Sequence, residues 1–385
     1  MSQIFTRRIA LFFCFTLSVT VLSNTAQAQT ETVLYTFSGA LGVYPTAGIT
    51  FDRQGRIYGT TTAGGAHSQG VVYRFESAGG TWVGSALYNF GQALDGSNPY
   101  GGVVFGPDGA LYGTTSNGGA YGYGTVFRLQ PPASVCHAVQ CPWLETILYS
   151  FAGGTDGANP GYGNLVFDRA GNIYGTTSAG GSSGEGVVFK LSRSGNSWTE
   201  SAIWSLGDGS GDRPLCGVIF DTAGNLYGGT LNSVYKLSPT QSGWTETTLY
   251  SGGGGGGVIW GHGELFGLTG AGPQGGNAVV YELASQNGNW TFAQLQNFGD
   301  QDFGPAAPPT FDAHGNLYGP LPSYNGAGEI FKLTRSGDQW IYSPYYQFTG
   351  GSGGSEPVGA VTFDANGNMY GTTLSRGGVL WEITP

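Results

Sequence analysis

The chain is short of charge, of histidine and, beyond residue 22, of long apolar runs. Lys, Arg, Asp and Glu make up only 10% of its 385 residues, so its solubility rests on hydroxyls, amides and exposed backbone. Fourteen residues are basic against 24 acidic, a net charge of −10, and that sign argues against nucleic acid or an anionic membrane as a partner. Histidine occurs at His67, His137, His262 and His314. None of their spacings suits zinc, and no metal or other cofactor is expected. No later stretch reaches the ~20 apolar residues of a membrane-spanning helix, and no segment keeps a helical period. What the chain has instead is 72 glycines and 14% aromatics. That composition suits a core of aromatic and β-branched side chains rather than disorder.

The one apolar run opens the chain: Arg7 and Arg8 precede Ile9 to Leu22, and Ala26-Gln27-Ala28 supplies a small-x-small cleavage site. Residues 1–28 read as a secretion signal, with an uncleaved anchor as the alternative. Its removal leaves 12 basic residues against 24 acidic, 12 − 24 = −12. A secreted, periplasmic or cell-surface protein with no span after cleavage is expected. The chain stops at GGVLWEITP without an apolar carboxy-terminal anchor.

The rest is organised around FDRAGNIYGTT from Phe167, with copies from Phe51, Phe105, Phe220, Phe311 and Phe363 and a worn one, WGHGELFGLT, from Trp260. The anchor aromatic of each copy falls at Tyr58, Tyr112, Tyr174, Tyr227, Phe266, Tyr318 and Tyr370, in steps of 54, 62, 53, 39, 52 and 52. Around each anchor lie four strand-like segments. In the third repeat these are Gly163 to Asp168, Asn172 to Thr177, Gly186 to Leu191 and Trp198 to Leu206. Four antiparallel strands at this period predict an all-β, seven-bladed β-propeller over residues 31–385. The lone fourth strand at Thr32 to Phe37 is expected to complete the last blade beside Gly378 to Ile383, removing open sheet edges. Pro308 and Pro309 fit an inner strand with a neighbour on one side only.

The F-D-x-x-G-N-L-Y-G-T-T core, followed by Gly-Gly and G-x-V-F-K-L, resembles the GloVer (Gloeo/Verruco) tandem repeat of exported bacterial proteins and, more distantly, propellers of the NHL type. The resemblance implies export and a propeller-like body, often with a carboxy-terminal surface anchor that this chain does not show; it lends no activity.

In such a ring the links from fourth to first strand and from second to third share one face. Candidates there for holding a ligand are Thr61, His67, Asp95, Asn98, Thr115, Tyr121, Tyr123, Asp156, Asn159, Thr177, Glu185, Asp212 and Arg213. Hydroxyls, amides and rings suit a sugar surface; the competing account is that Asp and Pro make turns and Thr fills strand ends. Cys136 and Cys141 flank His137 in an insertion, where a local disulfide is expected over half a metal site. Cys216 is left as a buried thiol. Gly-x-Ser-x-Gly at Gly180 and Gly350 lacks the strand-to-helix elbow of a nucleophile, and Gly252 to Gly257 lacks the Lys of a phosphate loop. The Gly run makes the fifth blade the expected least stable one. The charge recurring in each third strand, as at Lys190, reads as a solvated edge with its stem packed along the blade rather than a partner of Asp168.

Two functions of different class follow. One is a monomeric, non-enzymatic propeller binding a glycan or an extracellular protein. The other is a polysaccharide lyase or hydrolase, which needs a His, Tyr, Arg or two carboxylates converging in one pocket.

Overall fold

The protein is described by a computed structural model over residues 29–92, 94–132, 143–195, 197–207, 213–269, 278–299, 307–323 and 326–385. The expected signal, Cys136, His137, Cys141 and Asp212 lie outside these residues. Each anchor aromatic centres one antiparallel sheet, and the seven sheets, numbered as blades in chain order, form a propeller. In blade 3 the strands are Val166–Phe167, Ile173–Ala179, Val187–Ser194 and Ser197–Ser205. Blade 7 joins Thr362–Phe363, Met369–Thr373 and Val379–Thr384 to the chain's first strand, Thr30–Thr36. Val33 pairs with Trp381 and Glu31 with Ile383, so both ends of the propeller are stitched into one sheet.

The repeated sequence is explained by one carboxylate. Asp168 Oδ1 accepts the backbone N–H groups of Ala170 and Asn172, both at 2.9 Å. Its Oδ2 accepts the Asn172 amide at 2.7 Å and the Tyr174 hydroxyl at 3.1 Å. Gly171 takes φ +81, as the turn demands. Asp221, Asp312 and Asp364 repeat this box in blades 4, 6 and 7. In blade 1 Arg56 replaces the Asn, and in blade 2 the carboxylate moves to Asp108. Burial alone would raise the Asp168 pKa, but the Asn172 bonds outweigh it and hold it below the ordinary value.

The held Tyr ring then meets the next blade. Tyr58 packs edge-on against Phe105, Tyr112 against Phe167, Tyr174 against Phe220, Tyr227 against Trp260, Phe266 against Phe311, Tyr318 against Phe363 and Tyr370 against Phe51. The last contact closes the circle. Seven apolar clusters lie between successive blades, including one that joins Tyr370 and Leu380 to Ile57 and Phe75. Burying one such ring contributes about 1.5–3 kcal/mol, against ~1 kcal/mol net for a hydrogen bond, so the seams between blades carry most of the stability. The glycine after each anchor makes room for this packing: a Cβ on Gly175 would lie 2.6 Å from Phe189 Cζ.

Three expectations are corrected. The first strand of blade 3 is two residues, not six, and Pro308 and Pro309 precede the Thr310–Phe311 strand rather than sit in it. Near the axis the chain is crowded by its neighbours, a Cβ on Gly163 meeting the Gly217 nitrogen at 2.0 Å, and the ladder starts only beyond that point. The third-strand cation is also more than a solvated edge: Lys190, Lys236 and Lys332 lie 5.5–5.8 Å from the ring centres of Tyr174, Tyr227 and Tyr318. Blade 5, without the Asp box, instead turns on His262 and Gly263 at φ +53 and +86, both positive as in a two-residue hairpin. Its first strand, Val258–Gly261, is accordingly four residues long.

Candidate functional site

The two kinds of link do share a face. Gly96–Ser97, from the link into blade 2, pairs with Asn117–Gly118 of the link between its second and third strands. In blade 3 Ala158 and Pro160 pair likewise with Ala179 and Thr177. The Thr-Thr pairs clasp this face together. Thr60 bonds the Gly101 carbonyl of blade 2 at 2.8 Å, Thr176 the Cys216 carbonyl of blade 4 at 2.7 Å, and Thr372 the Pro45 carbonyl of blade 1 at 3.0 Å.

Most of the candidate residues serve that framework. Thr61 bonds the Leu41 carbonyl, Thr115 bonds Thr125, and Thr177 bonds the Ala179 carbonyl. Asn98 and Asn159, at φ +56 and +54, donate their amides to the Thr62 and Ser116 carbonyls, each at 2.9 Å. Asp95 accepts the Tyr88 hydroxyl at 3.0 Å, and Asp156 accepts Tyr149 at 3.0 Å and the Ala152 N–H at 2.7 Å. The Arg213 carbonyl accepts the Leu231 N–H. Glu185 is buried in the second-to-third link of blade 3, while His67, in that link of blade 1, is exposed.

What remains free on the face is aromatic. Among the described residues the exposed tyrosines are Tyr44, Tyr100, Tyr121, Tyr123 and Tyr162, 37–63% accessible. All lie on links of blades 1 to 3. Tyr100 and Tyr162 stack, with ring centres 5.7 Å apart and planes at 27°. Beside them runs a chain of amides: Asn117 donates to Asn98 Oδ1 at 3.1 Å, and Asn159 to Asn117 Oδ1 at 3.4 Å. Sequence reasoning found Tyr121, Tyr123, Asn98 and Asn159 but missed Asn117, Tyr44, Tyr100 and Tyr162. The visible signal was a Tyr within two residues of the Pro that ends each of these links.

Behind this face, at the outer seam, Tyr88 stands between two carboxyls, 3.0 Å from Asp95 Oδ2 and 2.8 Å from Glu145 Oε2. It has one hydroxyl proton, so a second proton on a carboxyl completes the trio. Burial first, and then the Asp95 charge, push Glu145 up to about 7. Glu200 rises to about 7 by burial and the charge of Asp156. In blade 5 Glu282, facing Phe266 instead of a phenol, rises to about 7 by burial and its bond to Glu264, and takes a bond from Trp340. Cys216 is buried, its thiol donating to the Gly229 carbonyl at 3.3 Å, and burial lifts its pKa to about 11. Such a thiol is inert. Among the described residues no three His, Cys, Asp or Glu side chains gather as a metal site.

From the opposite face, where the turns within each blade emerge, a groove of about 1540 Å³ runs along the outer edge of blade 1, from the turns of blades 1 and 2 to Ala40 and Leu41 in the link into blade 1. Arg53, Arg56 and Arg74 stand in it with Phe105, Pro107 and Trp143.

Residues 18–140 match the Gloeobacter/Verrucomicrobia repeat. No curated protein matches the chain. Solved structures with a similar fold include the extracellular domain of a provisionally named hybrid two component system from B. thetaiotaomicron, at 11% identity and TM-score 0.51, covering 91% of this chain and 39% of that one. The chain thus spans less than half of that protein. The periplasmic gluconolactonase PpgL of Pseudomonas aeruginosa is 16% identical at TM-score 0.51, covering 84% and 94%. A provisionally named 6-phosphogluconolactonase of Bacteroides fragilis is 13% identical at TM-score 0.50, covering 92% and 94%. At these identities the likeness is one of fold. Among the described residues no helix is long and apolar enough to cross a membrane.

Proposed function

We propose that the chain is an exported, non-catalytic binding propeller that holds a glycan on the link face of blades 1 to 3. The observation that carries this reading is the gathering of Tyr44, Tyr100, Tyr121, Tyr123 and Tyr162 on one arc, when the anchor tyrosines of the same repeats are buried. A ring exposed on a rigid framework offers large contact area at little entropic cost, and the exposed Asn117 amide, which gives one N–H to Asn98, keeps a second for a hydroxyl. Residues 1–28 act as the export signal, and the mature protein works as a monomer without a cofactor. Neighbours of similar fold named as extracellular or periplasmic are consistent with that compartment.

The competing reading is a polysaccharide-cleaving enzyme. Exposing the purified protein to a panel of soluble polysaccharides, with retention and the release of reducing or unsaturated ends both recorded, separates the two. Retention without products is expected, and it should be lost when Tyr100→Ala is combined with Tyr162→Ala. Release of products, or retention of no member of the panel, would overturn the proposal.

A further inference from the structure

We propose that the groove along the outer edge of blade 1, at its end on the turn face away from the tyrosine arc, is a second site, for a carboxylate-bearing glycan of the polyuronate class. It goes beyond the reading of the link face and rests on different residues. The argument begins with how blade 1 departs from its siblings. In blade 2 a single arginine, Arg128, spends its Nε and Nη2 on Asp108 and also bonds the Tyr112 hydroxyl at 3.0 Å. In blades 3, 4 and 6 a single lysine lies over the anchor ring. Blade 1 has two arginines for one carboxylate. Arg56, standing where the other boxes have Asn, already binds Asp52 Oδ2.

Arg74 is therefore outside the box, with only the exposed Glu76 for an acid partner. Its Nε is buried without a hydrogen-bond partner, and its nearest acid is Glu76, 3.7 Å away and itself 54% exposed. Arg53 adds a third cation from the exposed turn. Phe105, Pro107 and Trp143 line the same groove with apolar surface. The acids in reach are Asp52 and Glu76, with Asp108 of the next turn already held by Arg128. In a chain of net charge −10 with 14 basic residues in all, three arginines in one groove are a local reversal of sign.

The chemistry that fits is a carboxylate for the guanidinium fork together with a ring whose apolar face lies on the aromatic and proline surface. At about 1540 Å³ the groove exceeds the ~300–1,000 Å³ of a small-molecule pocket, which favours several linked sugars over one.

Titration of the purified protein with oligogalacturonate, with maltooligosaccharide as the neutral probe and a short single-stranded DNA as the phosphate polyanion, tests this. Oligogalacturonate should bind, more weakly as NaCl rises from about 20 to about 200 mM, and the neutral probe should not compete. Combining Arg53→Ala with Arg74→Gln should weaken it at least about tenfold, whereas Tyr100→Ala with Tyr162→Ala should leave it unchanged. Arg53→Ala alone, in an exposed turn, keeps the test alive if the double variant fails to fold, and should weaken binding by a smaller factor. No binding of oligogalacturonate, binding indifferent to both arginine variants, or tighter binding of DNA would overturn the proposal. Loss of link-face binding alone leaves this site standing, and the reverse result leaves the link-face reading standing.

Discussion

Blade 3 takes residues 180–186 to pass from its second strand to its third, closed on itself by a bridge from Gly180 to Glu185, whereas blade 4 takes only 230–232. Both keep the same box, Asp168 with Tyr174 and Asp221 with Tyr227. Bridged loops of the kind in blade 3 recur in blades 1 and 2, at Gly64 with Gln69 and Gly118 with Tyr123. A tandem repeat is its own control. Features present in nearly every blade are what the ring needs to fold; side chains confined to blades 1 to 3 that take no part in the framework are free to serve recognition. The exposed tyrosines fall in the second class and the anchor tyrosines in the first.

The sharpest way to break that division is at the packing glycine. Gly175→Val should cost about 3 kcal/mol in urea unfolding, because the added carbons must displace Phe189 and Leu165 in the seam. A variant as stable as the parent would mean the seam is not tightly packed. Next in size, Asp168→Ala should cost about 2 kcal/mol, since it strands two backbone donors, the Asn172 amide and the Tyr174 hydroxyl. An effect no larger than ~0.5 kcal/mol, the ordinary surface value, would reduce the box to a turn.

The third test uses acidity. Glu145 holds its proton in the folded state up to about 7, against an ordinary value of 4.5, so between those values the native protein binds more protons than the unfolded chain. Its contribution is complete below the ordinary value and is lost as pH rises through about 7. The boxed carboxylates work the other way: Asp168, held below the ordinary 3.8, stabilises above that value and stops doing so as pH falls. Melting temperature should therefore decline from about pH 5 to about pH 8, with Glu145→Gln removing on the order of 1–2 kcal/mol of that decline. A parent whose melting temperature climbs over this range, or a Gln variant with an unchanged slope, would contradict the trio at Tyr88.

These contrasts also show what the sequence could and could not reveal. The Asp-to-Tyr spacing, the period and the split last blade were readable because backbone turns and strand alternation are local. The partner of Lys190 was not. Comparing copies argued against Asp168 and left a solvated edge, yet the ring of Tyr174 lies across the ladder at the paired position, a relation fixed by strand register. First strands were read too long because crowding at the axis, as between Gly163 and Gly217, involves residues some fifty positions apart. On the link face, composition pointed to the right links but not to the right side chains: Thr, Asp and Asn are absorbed by bonds that only the closed ring brings together. In blade 5 the glycine-rich run drew attention from His262-Gly263, where two positive φ values make a tight hairpin.

The smallest expected effect on stability is at the tyrosines, where Tyr100→Ala with Tyr162→Ala should change unfolding by no more than about 0.5 kcal/mol per site. That makes them the decisive measurement. Calorimetric titration of a retained oligosaccharide into this double variant and into Asp221→Ala should give lost affinity with an intact melting profile for the first. For the second it should give kept affinity at a lowered melting temperature. Unchanged affinity in the tyrosine variant, with loss in the box variant while it is still folded, would contradict the division between framework and recognition face.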